Sequence, residues 1–168
     1  MRTRISPGLL NTKFQWLQYR ILQNILTTNY SVSKYDPNQD PKCTFCKLQP
    51  ETVEHLFWNC FVVQKYLTDL NLWFVQNIGK DLISTKVDFI LGIRKTGDYS
   101  SVYNQIIIII KNHIYTSKCL NSNLSTIKTL HYLKELYNQN KMLALKNNKI
   151  EMFENEWIQF HALLNGNT

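Results

Sequence analysis

Apolar residues fall along this chain at intervals of three and four, the period of one face of an α-helix. Phe14, Leu17, Ile21 and Ile25 share such a face, with Lys13, Gln18 and Gln23 opposite; Asn11 or Thr12 can cap the helix, and it should end near residues 27–29. A second helix is predicted over 62–78, with Val63, Leu67, Leu70 and Phe74 on its buried side, Trp73 in the core and Gly79 as its stop. Between the two, residues 29–42 carry two prolines and several turn formers and read as an irregular connector. Residues 51–58 read as a short helix started by Pro50 and bearing His55.

Five consecutive isoleucines, Ile106 to Ile110, are harder to place. β-branched residues favour strands, but the run shows no alternation. Val102, Ile106, Ile110 and Ile114 keep a helical repeat with no turn residue over 103–118. A helix is therefore predicted there, apolar all round and at the centre of a bundle. Ser125 should cap the next helix, which places Ile127, Leu130, Tyr137 and Ala144 on one stripe and breaks at Asn147-Asn148. Ile150, Phe153, Trp157, Phe160 and Leu164 form the most regular stripe of all, with Glu151, Glu154 and Glu156 away from it. Residues 81–100 have turn signals at Gly92 and Thr96-Gly97-Asp98 and no strong period, so they are expected to be a linker. The expected architecture is mainly α: a cysteine-bearing region with flanking helices over 1–80, the linker, and a helical bundle over 101–168.

The 168 residues are about one domain's length, and 44% hydrophobic with 12% aromatic content suffices for a packed core. No stretch approaches the ~18 apolar residues of a membrane span, which argues against a membrane partner. The opening MRTRISPGLL lacks the long apolar core of a secretion signal, so no export is expected. Net charge is +7, unevenly spread: residues 1–50 and 101–148 each carry +5, against −1 over 51–100 and −2 over 149–168. Two basic blocks suit a polyanionic partner such as nucleic acid; the alternative is a lysine-rich surface that binds nothing.

Three of the four cysteines lie within eighteen positions, and with one histidine they give C-x2-C-x8-H-x4-C: Cys43, Cys46, His55 and Cys60. Thiolates and an imidazole at such spacings close a tetrahedral shell around Zn2+. A disulfide framework would need an exported chain, and a redox C-x-x-C would follow a strand, whereas DPNQDPK before Cys43 is a polar loop. Plain buried thiols remain the third alternative. Cys60 lies five positions after His55, one step past the same-face spacing of an α-helix, so the helix must bend, loosen or end to present both to one ion.

The strings LQYRILQNILTTN (17–29), PKCTFCKLQPETVEHLFWNC (41–60) and the following FVVQKYLTDL resemble the zinc-binding region of non-LTR, LINE-type retrotransposon reverse transcriptases. The similarity continues in order through ILGIRK (90–95), KNHIYTSK (111–118), TLHYLKEL (129–136) and FENEW (153–157). It implies an accessory module, C-terminal to the polymerase, that helps hold template RNA or target DNA during target-primed reverse transcription, with Cys43, Cys46, His55 and Cys60 matching the family's ligands. Nothing catalytic carries over: the polymerase's F/Y-x-D-D signature is absent, since no two acidic residues are adjacent, and the endonuclease is missing. No enzyme activity and no small-molecule substrate are expected. The resemblance also implies a domain fragment or truncated copy, and an intracellular location, in a cytoplasmic ribonucleoprotein or the nucleus.

Candidate nucleic-acid contacts are Arg20, Lys34, Lys42 and Lys47, with Phe45 as a stacking face between two ligands. Lys111, Lys118, Lys128 and Lys134 form a second basic strip. The bland reading of Phe45 and Trp58 is that they roof the metal. His113 and His161 read as polar helix positions, and His131 with Cys119 as a second site only by tertiary accident. Two other function classes stay open. One is a structural module docking on the polymerase body through the Ile150 to Leu164 stripe; the other is a zinc hydrolase with Glu54 as base, disfavoured because four protein ligands leave no place for water.

Overall fold

The computed structural model describes residues 12–93 and 100–161. Seven α-helices lie among the described residues: α1 Thr12–Leu22, α2 Asn29–Ser33, α3 Phe61–Ile78, α4 Lys86–Leu91, α5 Ser100–Cys119, α6 Thr126–Lys146 and α7 Ile150–Trp157. A π-helical turn, His55–Asn59, precedes α3, and a 3-10 turn, Ile158–Phe160, follows α7. Among the described residues there is no strand, only an isolated bridge between Lys42 and Pro50. The fold is mainly α, with the Cys and His cluster set among helices.

The isoleucine run lies at the centre. All five, with Val102 and Ile114, are at most 6% exposed, so packing on every side overrides the weak helix propensity of β-branched residues. Helices α1 and α6 and the π turn pack around α5, and α7 folds back on α6. The signals at Ser125 and Gly79 hold: Ser125 caps α6, and Gly79 ends α3 in the left-handed region at φ 76°.

Several positions differ from the expected pattern. Helix α1 stops at Leu22, Asn24 turns the chain at φ 55°, and Ile25 is left exposed. Gln18, expected on the polar face, is 3% exposed and donates to Ile90 O at 2.9 Å. Residues 29–33 of the connector are helical, closed by a capping box between Thr28 and Ser31. Residues 81–100 include α4, whose Phe89 is wholly buried; the Thr96-Gly97-Asp98 signal lies outside the described residues. Trp73 is only half-buried, and in α6 Ile127 is exposed while Thr129, Leu133, Leu136, Tyr137 and Asn140 make the buried face.

The last stripe closes on its own bundle. Trp157 stacks with Phe153 (5.9 Å between centroids) and meets Tyr137 edge-on at 5.3 Å, and Phe160 sits against Tyr103 at 5.1 Å. The helix ends at Trp157, and Leu164 lies outside the described residues.

Candidate metal centre

The centre is assembled from a tight loop and a loosened helix. In the loop, Cys43 N donates to Gln49 O at 2.8 Å and Lys47 N to Cys43 O at 2.9 Å. Lys47 takes the left-handed conformation at φ 57°, uncommon for a residue with a side chain, and so turns the chain back under Cys43 and Cys46. The backbone N–H groups of Phe45 and Cys46 point at Cys43 Sγ, an arrangement that favours negative charge on that sulfur.

His55 and Cys60 come from the other side. Cys60 N donates to His55 O at 2.9 Å, an i to i+5 bond. One extra residue is thereby taken into the turn, which reconciles a five-residue spacing with a shared face. Here the helix loosens. Cys60 then begins α3, where the N–H groups of Val62 and Val63 point at its sulfur.

The four donor atoms lie within 4.8 Å of one another. Cys43 Sγ is 3.8 Å from Cys60 Sγ, and Cys46 Sγ is 3.3 Å from His55 Nε2. The sulfur–sulfur contact is too long for a disulfide, and the cysteines are free thiols. A tetrahedral shell with Zn–S near 2.3 Å would set neighbouring sulfurs about 3.8 Å apart. Three sulfurs and one nitrogen with this spacing fit Zn2+. Cys43 and Cys60 are fully buried, and His55 is 5% exposed. The hydrogen bond with Cys60, aided by burial, raises the Cys43 thiol far above its ordinary range, and the same bond lowers Cys60. Two such sulfurs can both ionise only against a cation.

A polar clamp holds the loop to the helices, and sequence reasoning missed it. Glu51 is fully buried; its carboxylate accepts from Thr44 N at 2.6 Å and Asn29 N at 3.0 Å and lies 3.5 Å from Lys118 Nζ. Asn29 Nδ2 also donates to Lys42 O at 2.8 Å and Thr44 Oγ1 at 3.2 Å. One carboxylate thus joins α2, the Cys43 loop and the end of α5. The only sequence signal was an acid lying between the second cysteine and the histidine, and a helix start at Pro50 accounted for it equally well.

The sequence-derived cations separate into free and engaged. Lys42 and Lys47 are exposed beside the loop, and Lys34 lies over the Tyr30 ring at 4.7 Å. Arg20 donates to Thr27 Oγ1 at 3.0 Å. The second strip does not survive intact. Lys111 is 1% exposed and donates to Gln18 Oε1 at 2.7 Å and Ile90 O at 3.0 Å, so it cannot reach a phosphate. Lys118 is largely covered and engaged with Glu51, whereas Lys128 and Lys134 remain exposed. Phe45 is half-buried, and Trp58 packs on Phe89 with centroids 5.8 Å apart. Glu54 is exposed and pairs with Lys86. His113 is buried and accepts from Ser125 N, and His131 pairs with Glu135 at 3.2 Å.

Residues 7–66 match the family described as zinc-binding in reverse transcriptase. This segment, about a third of the chain, is similar to that family. The match covers α1, α2, the Cys43 loop, the π turn and the start of α3, and its cofactor is Zn2+. No curated protein and no solved structure matches the chain. No helix among the described residues is long and apolar enough to cross a membrane.

Proposed function

We propose that this chain is a zinc-stabilised accessory domain of a LINE-type reverse transcriptase that binds nucleic acid, template RNA or target DNA, and has no catalytic activity of its own. Cys43, Cys46, His55 and Cys60 are its zinc ligands. The observation that carries the reading is the enclosure of those four donors beside unpaired lysines: two sulfurs are wholly buried, and Lys42 and Lys47 stand on the loop that bears Cys43 and Cys46. Four protein donors complete a tetrahedral shell, the arrangement of structural zinc sites, and leave no position for a reacting water. The bound zinc supplies folding energy, and contact with phosphates falls to the chain's own side chains.

Docking on a polymerase body through the last apolar stripe has weaker support, because Phe153, Trp157 and Phe160 are buried within this chain. The test is a salt titration of structured RNA binding to the purified protein, run beside metal analysis. One zinc per chain and an affinity that falls steeply with salt are expected. Zinc near zero in a normally folded protein overturns the ligand assignment; absence of RNA and DNA binding at low salt overturns the function.

A further inference from the structure

Two adjoining hollows flank the zinc loop. The larger, about 660 Å³, lies between Phe45 of the loop, the first turns of α3 and the α5–α6 connection, residues 121–126. The smaller, about 370 Å³, is lined by Lys42 and Lys118 on the other side of the loop. Thr44, Lys47 and Asn121 line both, so the two meet at these residues and together make a two-part trough.

Its chemistry is graded along its length. Lys42, Lys47 and Lys65 are exposed and have no ion-pair partner among the described residues, while Lys118 faces Glu51. Asp40 and Asp69 line one hollow each, so the surplus of charge remains positive. Asn121, Ser122 and Asn123 offer neutral hydrogen-bonding groups on the far wall. Thr126 and Val62 belong to the first turns of α6 and α3, whose dipoles add positive potential at the same end. Phe45 supplies an aromatic surface among these groups.

Spaced cations with an aromatic between them suit a flexible polyanion that carries flat, unpaired rings. A duplex keeps its bases stacked inside and would engage the lysines alone. We infer that the trough from Lys42 through Lys47 to Lys65, walled by residues 121–126, seats a single strand of nucleic acid, with one base against Phe45. This rests on the nucleic-acid reading above and gives it a location. It also recruits Lys65 and the α5–α6 connection, which the sequence did not single out.

The test compares labelled oligouridine, oligothymidine and a duplex of equal length on the zinc-loaded full chain, by fluorescence anisotropy across a salt series. Both single strands should bind about tenfold or more tightly than the duplex. Lys65→Gln should lower the single-strand salt slope by about 0.7, the value of one phosphate contact. Lys141→Gln, at an exposed position that lines neither hollow, should leave that slope unchanged. Phe45→Leu keeps an apolar side chain and should retain zinc while weakening single strands about tenfold. If nothing binds at low salt, the nucleic-acid reading fails and the trough with it. If the duplex binds equally, if Lys141→Gln matches Lys65→Gln, or if a polyglutamate peptide displaces the strand as well as unlabelled strand does, binding or anion affinity stands and the single-strand trough is refuted. A preference for oligouridine over oligothymidine, or the reverse, assigns the strand as RNA or DNA within the proposal.

Discussion

The zinc loop with its π turn and the bundle of α5, α6 and α7 hold together by different means. Around residues 41–62 the chain is short of regular structure: one bridge, one loosened turn and a buried carboxylate join the pieces, and only the turn and its lead-in, through Val53, Leu56 and Phe57, reach deep into the core they share with the bundle. In the bundle, isoleucines and a cluster of Tyr137, Phe153, Trp157 and Phe160 exclude water over long helices. Cohesion in the first region depends on converging ligands. In the second it depends on buried area. A perturbation aimed at one should therefore leave a distinct trace on the other.

The largest effect is expected from removing the metal. Chelation, or Cys43→Ser, should abolish amide-exchange protection over 41–62, because structural zinc contributes on the order of 10 kcal/mol to folding in small sites. The protection of α5 and α6 should persist. Loss of protection in both regions together would erase the contrast and make the metal a keystone of the whole chain.

Trp157→Ala is the reciprocal probe. Trp157 is 1% exposed, and truncation of a buried aromatic costs about 3–5 kcal/mol. A denaturant titration should show that loss, while the zinc content of the still-folded protein stays unchanged. Zinc loss at a denaturant concentration where α5–α7 remain folded would contradict the division.

The smallest effect, read per pH unit, falls on Lys111, where α5 meets α1 and α4. Burial pushes the Lys111 ammonium down to about 7 from its ordinary 10.5. Between those values the unfolded chain binds the proton and the folded chain does not, so folding stability rises with pH across that window. Below it both states are charged, and the full cost of burying the ammonium is felt. Relative to Lys111→Met, the wild-type protein should gain up to about 1.4 kcal/mol per pH unit between pH 7 and 10.5. Parallel stability curves for the two proteins would refute the buried, deprotonating lysine.

Much of the outline was legible along the chain. The four-residue gap between His55 and Cys60 already demanded that the helix loosen or end, and the structure meets that demand with an i to i+5 bond. Ser125 and Gly79 marked their helix ends, because a capping hydroxyl and a left-handed glycine act within one turn of backbone. The helix choice for the isoleucines followed from the period of their neighbours. Less visible was α4, too short to show a period, whose Phe89 is buried beneath Trp58 and Lys111.

The sequence by itself determined the metal, since ligand chemistry and spacing are properties of neighbouring residues, and it determined the long helices α3, α5 and α6. The tertiary structure alone decided which polar groups face water. Gln18 and Lys111 read as surface residues and Glu51 only as a helix start, yet all three lie inside, each satisfied by a partner at least twenty positions away. Lys65, unremarkable in its helix, stands free on the trough instead. A charge is available to a phosphate only where no distant carbonyl or carboxylate already engages it, and that is settled by packing between segments.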